Sequence, residues 1–158
     1  LRVVKFDEVL DMAVLKLNEE LNVGNQLLTF ANYMVDIGEQ TYVSGFPLIN
    51  TMGSQLKFTS GIISSLTGYN DDKKYLQTTA PIDPGNSGGP LIDQYGNIIG
   101  IISAKHSYGT NVGYALKINS LLNSNFISKT FSQKIKLSPQ QIYSKAKKSV
   151  CIIKSYSL

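Results

Sequence analysis

The sequence predicts an all-β fold, a barrel or a sandwich, on three observations. Short runs of strand-favouring residues recur along the first three quarters of the chain. Turn residues separate the runs. Thirteen glycines punctuate the 158 residues.

The runs are taken in order. Leu1–Phe6 and Ala13–Leu17 read as strands. Gln40–Gly45 alternates polar and apolar residues through Thr41, Tyr42, Val43 and Ser44, as a half-buried strand does. Leu56–Leu66 repeats the alternation in Leu56, Lys57, Phe58 and Thr59. Tyr75–Thr79, Gly89–Ile92, Ile98–Ser103 and Gly113–Lys117 complete the set. Phe46-Pro47, the run Gly68–Asp72 and Tyr95-Gly96-Asn97 supply the turns between them. Leu116–Ile127 is compatible with a short helix, and residues 128–137 read as a polar connector. Ser138 as N-cap, Pro139 at the first position and Gln141 at the third form a capping box, which predicts a helix to about Lys148. Ser149–Ser155 reads as a further strand with Cys151 as a buried core thiol.

Composition narrows the function classes. Apolar residues make up 42% and charged residues 16%, a globular mixture rather than a disordered one. One Cys and one His exclude an internal disulfide and the usual Cys/His zinc sites. No metal or organic cofactor is expected. No apolar run reaches the length of a membrane helix, and no signal peptide opens the chain. The start at Leu1, directly in a strand pattern, reads as a fragment. Residues 1–93 carry six basic and eleven acidic side chains, whereas residues 94–158 carry nine lysines and no acid. Those lysines are scattered, include no Arg and accompany no nucleic-acid motif. They read as a solvated face, and nucleic acid is not an expected partner.

The chemistry lies in residues 78–92, TTAPIDPGNSGGPLI. A glycine two residues before a serine lets its N–H turn inward beside the serine N–H. Two such donors stabilise an oxyanion that develops only in the transition state. Gly88 and Gly89 clear side chains from the path of a substrate backbone. The same letters satisfy the nucleophile elbow G-x-S-x-G, but that motif needs a helix directly after the serine. Gly-Gly-Pro-Leu-Ile starts no helix, and the elbow reading is rejected. A His-Asp-Ser order requires an acid upstream beside an apolar strand. Asp11, heading Met12–Leu17, fits as a partly buried acid.

Together, DMAVLKL, YVSGFPL, FTSGIISSL, TTAPIDPGNSGGPLID, GNIIGIIS and VGYALKI resemble the trypsin-like serine peptidases of the HtrA/Deg type over about residues 1–125. The resemblance implies a chymotrypsin-like antiparallel β-barrel, the second barrel plus part of the first, with short C-terminal helices. It implies Asp11 as triad acid, Ser87 as nucleophile, and an oxyanion hole at Gly85, Asn86 and Ser87. It implies that Ser103, Ala104 and Lys105 pair with substrate backbone. Pro81 and Ile82 would border a primary pocket for a small or medium apolar side chain. Polypeptides are the implied substrates, an extracytoplasmic location is suggested, and a homo-oligomer is compatible with it.

The departures are specific. No His precedes Asp11, and His106 follows Ser87, out of order for the triad. Without a base a serine is a poor nucleophile, so the chain by itself is expected to be inactive or nearly so. Two classes follow: a serine endopeptidase whose triad His is not in this chain, or a non-catalytic homologue that holds peptides. The domain reading is a partial peptidase domain over 1–127, a connector over 128–137, and a helix plus strand over 138–158. That last segment resembles the start of a further peptidase-like domain or a permuted first strand.

Overall fold

The computed structural model describes residues 1–18, 27–105, 111–123, 127 and 132–153. Strands β1 (Arg2–Asp7) and β2 (Met12–Lys16) form an antiparallel hairpin of their own. Asp7 closes it: its carboxylate accepts the N–H groups of Val9 and Leu10 at 3.0 and 2.9 Å, an Asx turn.

The second sheet contains β3 (Thr29–Phe30), β4 (Gln40–Gly45), β5 (Lys57–Ser65), β6 (Tyr75–Thr78), β7 (Pro90–Asp93), β8 (Asn97–Lys105) and β9 (Gly113–Lys117). Its order runs β8-β7-β4-β5-β6-β9, and β9 pairs back onto β8. Six antiparallel strands therefore close into a barrel, which decides against the sandwich. Two-residue β3 joins the outer edge of β8 in parallel.

Period-two alternation sorts the side chains. On β4, Val43 points into the barrel core with Ile63, Leu76, Leu91, Ile102 and Leu116, all at most 2% exposed. Its neighbour Tyr42 points outward and pairs in register with Ile92 of β7. That outer patch is covered by helix α3 (Pro139–Ser149), whose Ile142 and Ala146 are fully buried against it. Tyr42 stacks on Phe58 at 5.1 Å, and Tyr143 meets Phe58 edge-on at 5.6 Å. The predicted capping box is present: Ser138 Oγ accepts from Gln141 N–H, and the Gln141 side chain accepts from Ser138 N–H.

Residues 132–137 are fastened to the barrel rather than merely spanning to α3. Asn97 Nδ2 donates to Gln133 O, Leu137 N–H donates to Gln94 O, and Ser132 Oγ donates to Asn32 Oδ1. The anchor is the buried Asp93, whose carboxylate accepts from the N–H groups of Tyr95 and Asn97 and from the Tyr33 hydroxyl. Lys134 lies over the Tyr33 ring at 4.2 Å. Burial pushes the Asp93 carboxyl above its ordinary value, and burial beside Asp93 pushes the Tyr33 phenol up as well.

Three expectations are corrected. Helix α2 spans Ile118–Asn123 within the predicted Leu116–Ile127: Leu116 and Lys117 are taken by β9, and residues 124–126 lie outside the described residues. Residues 150–153 form no strand: Ser149 ends α3, and the residues after it pair with no described strand; residues 154–155 lie outside the described residues. Cys151 is accordingly exposed, not a core thiol. Two short elements have no counterpart in the reading of the sequence: β3 and the single-turn helix α1 (Ile49–Met52).

Candidate active site

Two consecutive turns build the site. In the first, Asn86 N–H donates to Asp83 O at 3.0 Å across Pro84-Gly85, with Gly85 at φ +103°. Pro followed by a positive-φ Gly is the type II arrangement. In the second, Gly89 N–H donates to Asn86 O at 2.9 Å across Ser87-Gly88, with Gly88 at φ +81°. Ser87 thus occupies the leading corner of the second turn, and its side chain is exposed.

The turns are stitched on both sides. Gly88 N–H donates to Ile102 O and Ile102 N–H to Gly89 O, both at 2.8 Å, which extends the β7–β8 ladder to the serine. Opposite, Leu48 N–H donates to Pro84 O at 2.9 Å. A Cβ on Gly85 would lie 2.5 Å from Phe46 O, and one on Gly89 would lie 2.6 Å from Ser44 O. Backbone of β4 and of the loop that follows it therefore sits where any larger residue would place a side chain. Beneath the turn Asn86 is 4% exposed, packed on Gly45, and its Oδ1 has no hydrogen-bond partner among the described residues.

The β8–β9 register slips between Ile102 and Ala104. This bulge leaves Ser103 off the ladder and turns its carbonyl toward the serine. The Ser87 hydroxyl donates to Ser103 O at 3.4 Å. Asn86 N–H is consumed by the first turn, whereas the N–H groups of Gly85 and Ser87 make no hydrogen bond among the described residues. Two undonated N–H groups thus flank an exposed hydroxyl.

The other predicted residues are placed as follows. Asp11 is exposed, not half-buried, in the β1–β2 turn at φ +50°, because the hairpin pairs with no other strand of the described residues. Pro81 is exposed, and its carbonyl accepts from the Thr59 hydroxyl at 3.0 Å. Ile82 is 5% exposed and packs in the core, with its Cδ1 against Gly113. Neither lines the cleft at Ser87, which is formed by Gly45, Phe46, Gly85 and Gly88 among others. Ala104 and Lys105 continue β8 opposite Tyr114 and Gly113. His106 lies outside the described residues. Sequence reasoning missed Gly45 and Phe46, whose signal was the YVSGFPL run ending a strand with two backbone-exposing residues.

The sequence profile of the trypsin-like peptidase domain matches residues 1–101. The chain belongs to this family. The trypsin-like chain is 33% identical over 120 residues to the putative serine protease HhoA of Synechocystis, covering 72% of this chain and 29% of that protein. It is 35% identical to a probable periplasmic serine endoprotease, DegP-like, of Chlamydia trachomatis, covering 83% of this chain and 26% of that protein. A protein of Sinorhizobium fredii without an assigned activity is 37% identical over 105 residues, 65% of this chain and 16% of that protein. The chain thus spans less than a third of the length of these relatives. Among solved structures, a serine endoprotease from Yersinia pestis superimposes with a TM-score of 0.60 at 30% identity, covering 77% of this chain and 41% of that one. The barrel is chymotrypsin-like, and the Synechocystis and Chlamydia relatives bear the names of HtrA-type serine proteases.

Among the described residues no cluster of His, Cys, Asp and Glu could hold a metal ion, and no helix is long and apolar enough to cross a membrane.

Proposed function

We propose that this trypsin-like chain is the nucleophile-bearing portion of a serine endopeptidase. Ser87 Oγ attacks the scissile carbonyl and forms an acyl-enzyme, which water then hydrolyses. The N–H groups of Gly85 and Ser87 receive the oxyanion. Asp11 is the acid that orients the base, and its exposed position requires the hairpin to be covered when the site is complete. The base is a His not found among residues 1–10. Ser103–Lys105 offers backbone to an extended substrate. Polypeptides are the substrates, and by likeness to the periplasmic relative the protein works outside the cytoplasm.

One observation carries this reading. The turns 83–86 and 86–89 leave the Gly85 and Ser87 N–H groups without acceptors among the described residues, beside an exposed hydroxyl. At this exposed turn the two N–H groups are open to an incoming oxygen, and donors fixed in place before the reaction stabilise the charge that develops there. The test is labelling of Ser87 by a fluorophosphonate in the natural polypeptide that contains these residues, with Ser87→Ala as control. A second reading, a module that holds peptides without cleaving them, draws on the exposed position of Asp11 in the β1–β2 turn. Peptide binding without labelling supports that second reading.

A further inference from the structure

The cleft beside Ser87 has two walls of different origin. One is the nucleophile turn with Gly45, Phe46 and Ile49, and the other is Val150, Cys151, Ile152 and Ile153. These four residues have no counterpart among the site residues described above. Helix α3 delivers them. Its inner face is fixed by Ile142 and Ala146, both fully buried, and its start is fixed by the capping box. Its end is fixed too: Ser149 Oγ accepts from Leu28 N–H at 2.9 Å, and Val150 N–H donates to Ala146 O at 2.9 Å. The chain therefore leaves the helix in a set direction, toward the serine.

The cleft encloses about 330 Å³. That is the space of roughly ten water molecules, enough for one large side chain. No charged residue lines it, and Phe46, Ile49, Val150, Ile152 and Ile153 make its surface mostly aliphatic or aromatic. A carboxylate or ammonium entering it would lose hydration and find no partner, whereas an apolar side chain would gain by burial.

We propose that Val150, Ile152 and Ile153 are specificity-determining residues of the Ser87 cleft, forming a subsite for an apolar side chain of a peptide lying along it. This deepens the peptidase reading and rests on it. It gives the helix after the connector a role at the site: α3 holds the wall in place.

Two measurements on the 158-residue chain test the proposal separately from that reading. First, Cys151 is the one thiol, so a nitroxide can be attached there alone. The amide resonances of Gly85, Ser87, Gly88 and Gly89 are expected to broaden relative to a diamagnetic label. Unbroadened resonances overturn the wall, whatever Ser87 does. Second, capped peptides with a central Leu or a central Asp are titrated while the same resonances are followed. The Leu peptide is expected to bind roughly tenfold more tightly, the worth of burying one or two methylene groups, and Ile152→Asp should erase that preference. Equal affinities overturn the proposal. So does tighter binding of the Leu peptide when residues 150–158 are removed, because the segment would then be a plug. Broadening with no binding of either peptide overturns the peptide-cleft reading itself, and the subsite with it.

Discussion

The Ser87 hydroxyl donates to the Ser103 carbonyl oxygen at 3.4 Å, a contact at the long, weak end for O–H···O geometry. The hydroxyl is thus placed but not committed. It can rotate to a base at little cost, while the turn that carries it is tied down by the ladder to Ile102. The rigid part of the site is backbone, and the adjustable part is one O–H bond.

That division predicts how glycine substitutions rank. Gly88 has φ +81° but open space around a new Cβ, so Gly88→Ala should cost about 1 kcal/mol of stability. Gly85→Ala adds a 2.5 Å approach to Phe46 O to an unfavourable φ, and Gly89→Ala a 2.6 Å approach to Ser44 O. Each should cost roughly 3 kcal/mol or more, because the opposing atoms are backbone and cannot turn aside. Urea unfolding of the three variants checks the ranking. Equal losses would mean that β4 and the loop that follows it yield and that the turn is not clamped.

Helix α3 should behave as an integral part of the barrel. Ile142→Ala removes a fully buried side chain from the Tyr42–Ile92 patch and should cost about 2–4 kcal/mol in global stability. Ser138→Ala removes the cap and should cost about 1 kcal/mol. Thermal unfolding followed by near-ultraviolet circular dichroism tests both. If Ile142→Ala melts α3 alone and leaves the barrel transition unchanged, the helix is an appendage.

Asp93 should make stability fall with rising pH over a defined window. Burial raises its carboxyl above the ordinary 3.8, against the opposing effect of its hydrogen bonds from Tyr33, Asn97 and Tyr95 and of the Lys134 charge. A raised folded-state pKa means that the folded chain holds the proton more tightly than the unfolded chain. Its stabilising contribution is complete below about 3.8, the unfolded value, and is lost as pH rises through the folded value. The difference in unfolding free energy between the parent chain and Asp93→Asn should therefore shrink from pH 3 upward, in steps of at most about 1.4 kcal/mol per pH unit. A difference independent of pH would contradict the raised carboxyl.

The barrel was legible because its strands carry their own signals. Gln40–Gly45 and Gly113–Lys117 appear with the bounds that alternation and flanking turns imply. The serine turn was legible for a related reason: Pro84-Gly85 and Gly88 each demand a particular backbone shape, so seven letters fix two turns. What could not be read depends on distant partners. Ser149–Ser155 has β-favouring residues, yet Ser149 ends α3 and residues 150–153 pair with no described strand and run along the serine cleft instead. The two strands flanking Asp11 appear where they were expected, but exposure of Asp11 depends on what packs beside it. Thr29–Phe30 is a strand only because β8 offers its edge, and two residues carry no period.

The most direct test of the central claim is fluorophosphonate labelling of the natural polypeptide that contains residues 1–158, followed by peptide mapping. The account predicts one label, on Ser87, lost in Ser87→Ala and weakened in Asp11→Asn. A fully folded protein that takes no label at Ser87, or takes it equally with Asp11 replaced, would contradict the assignment of nucleophile and acid.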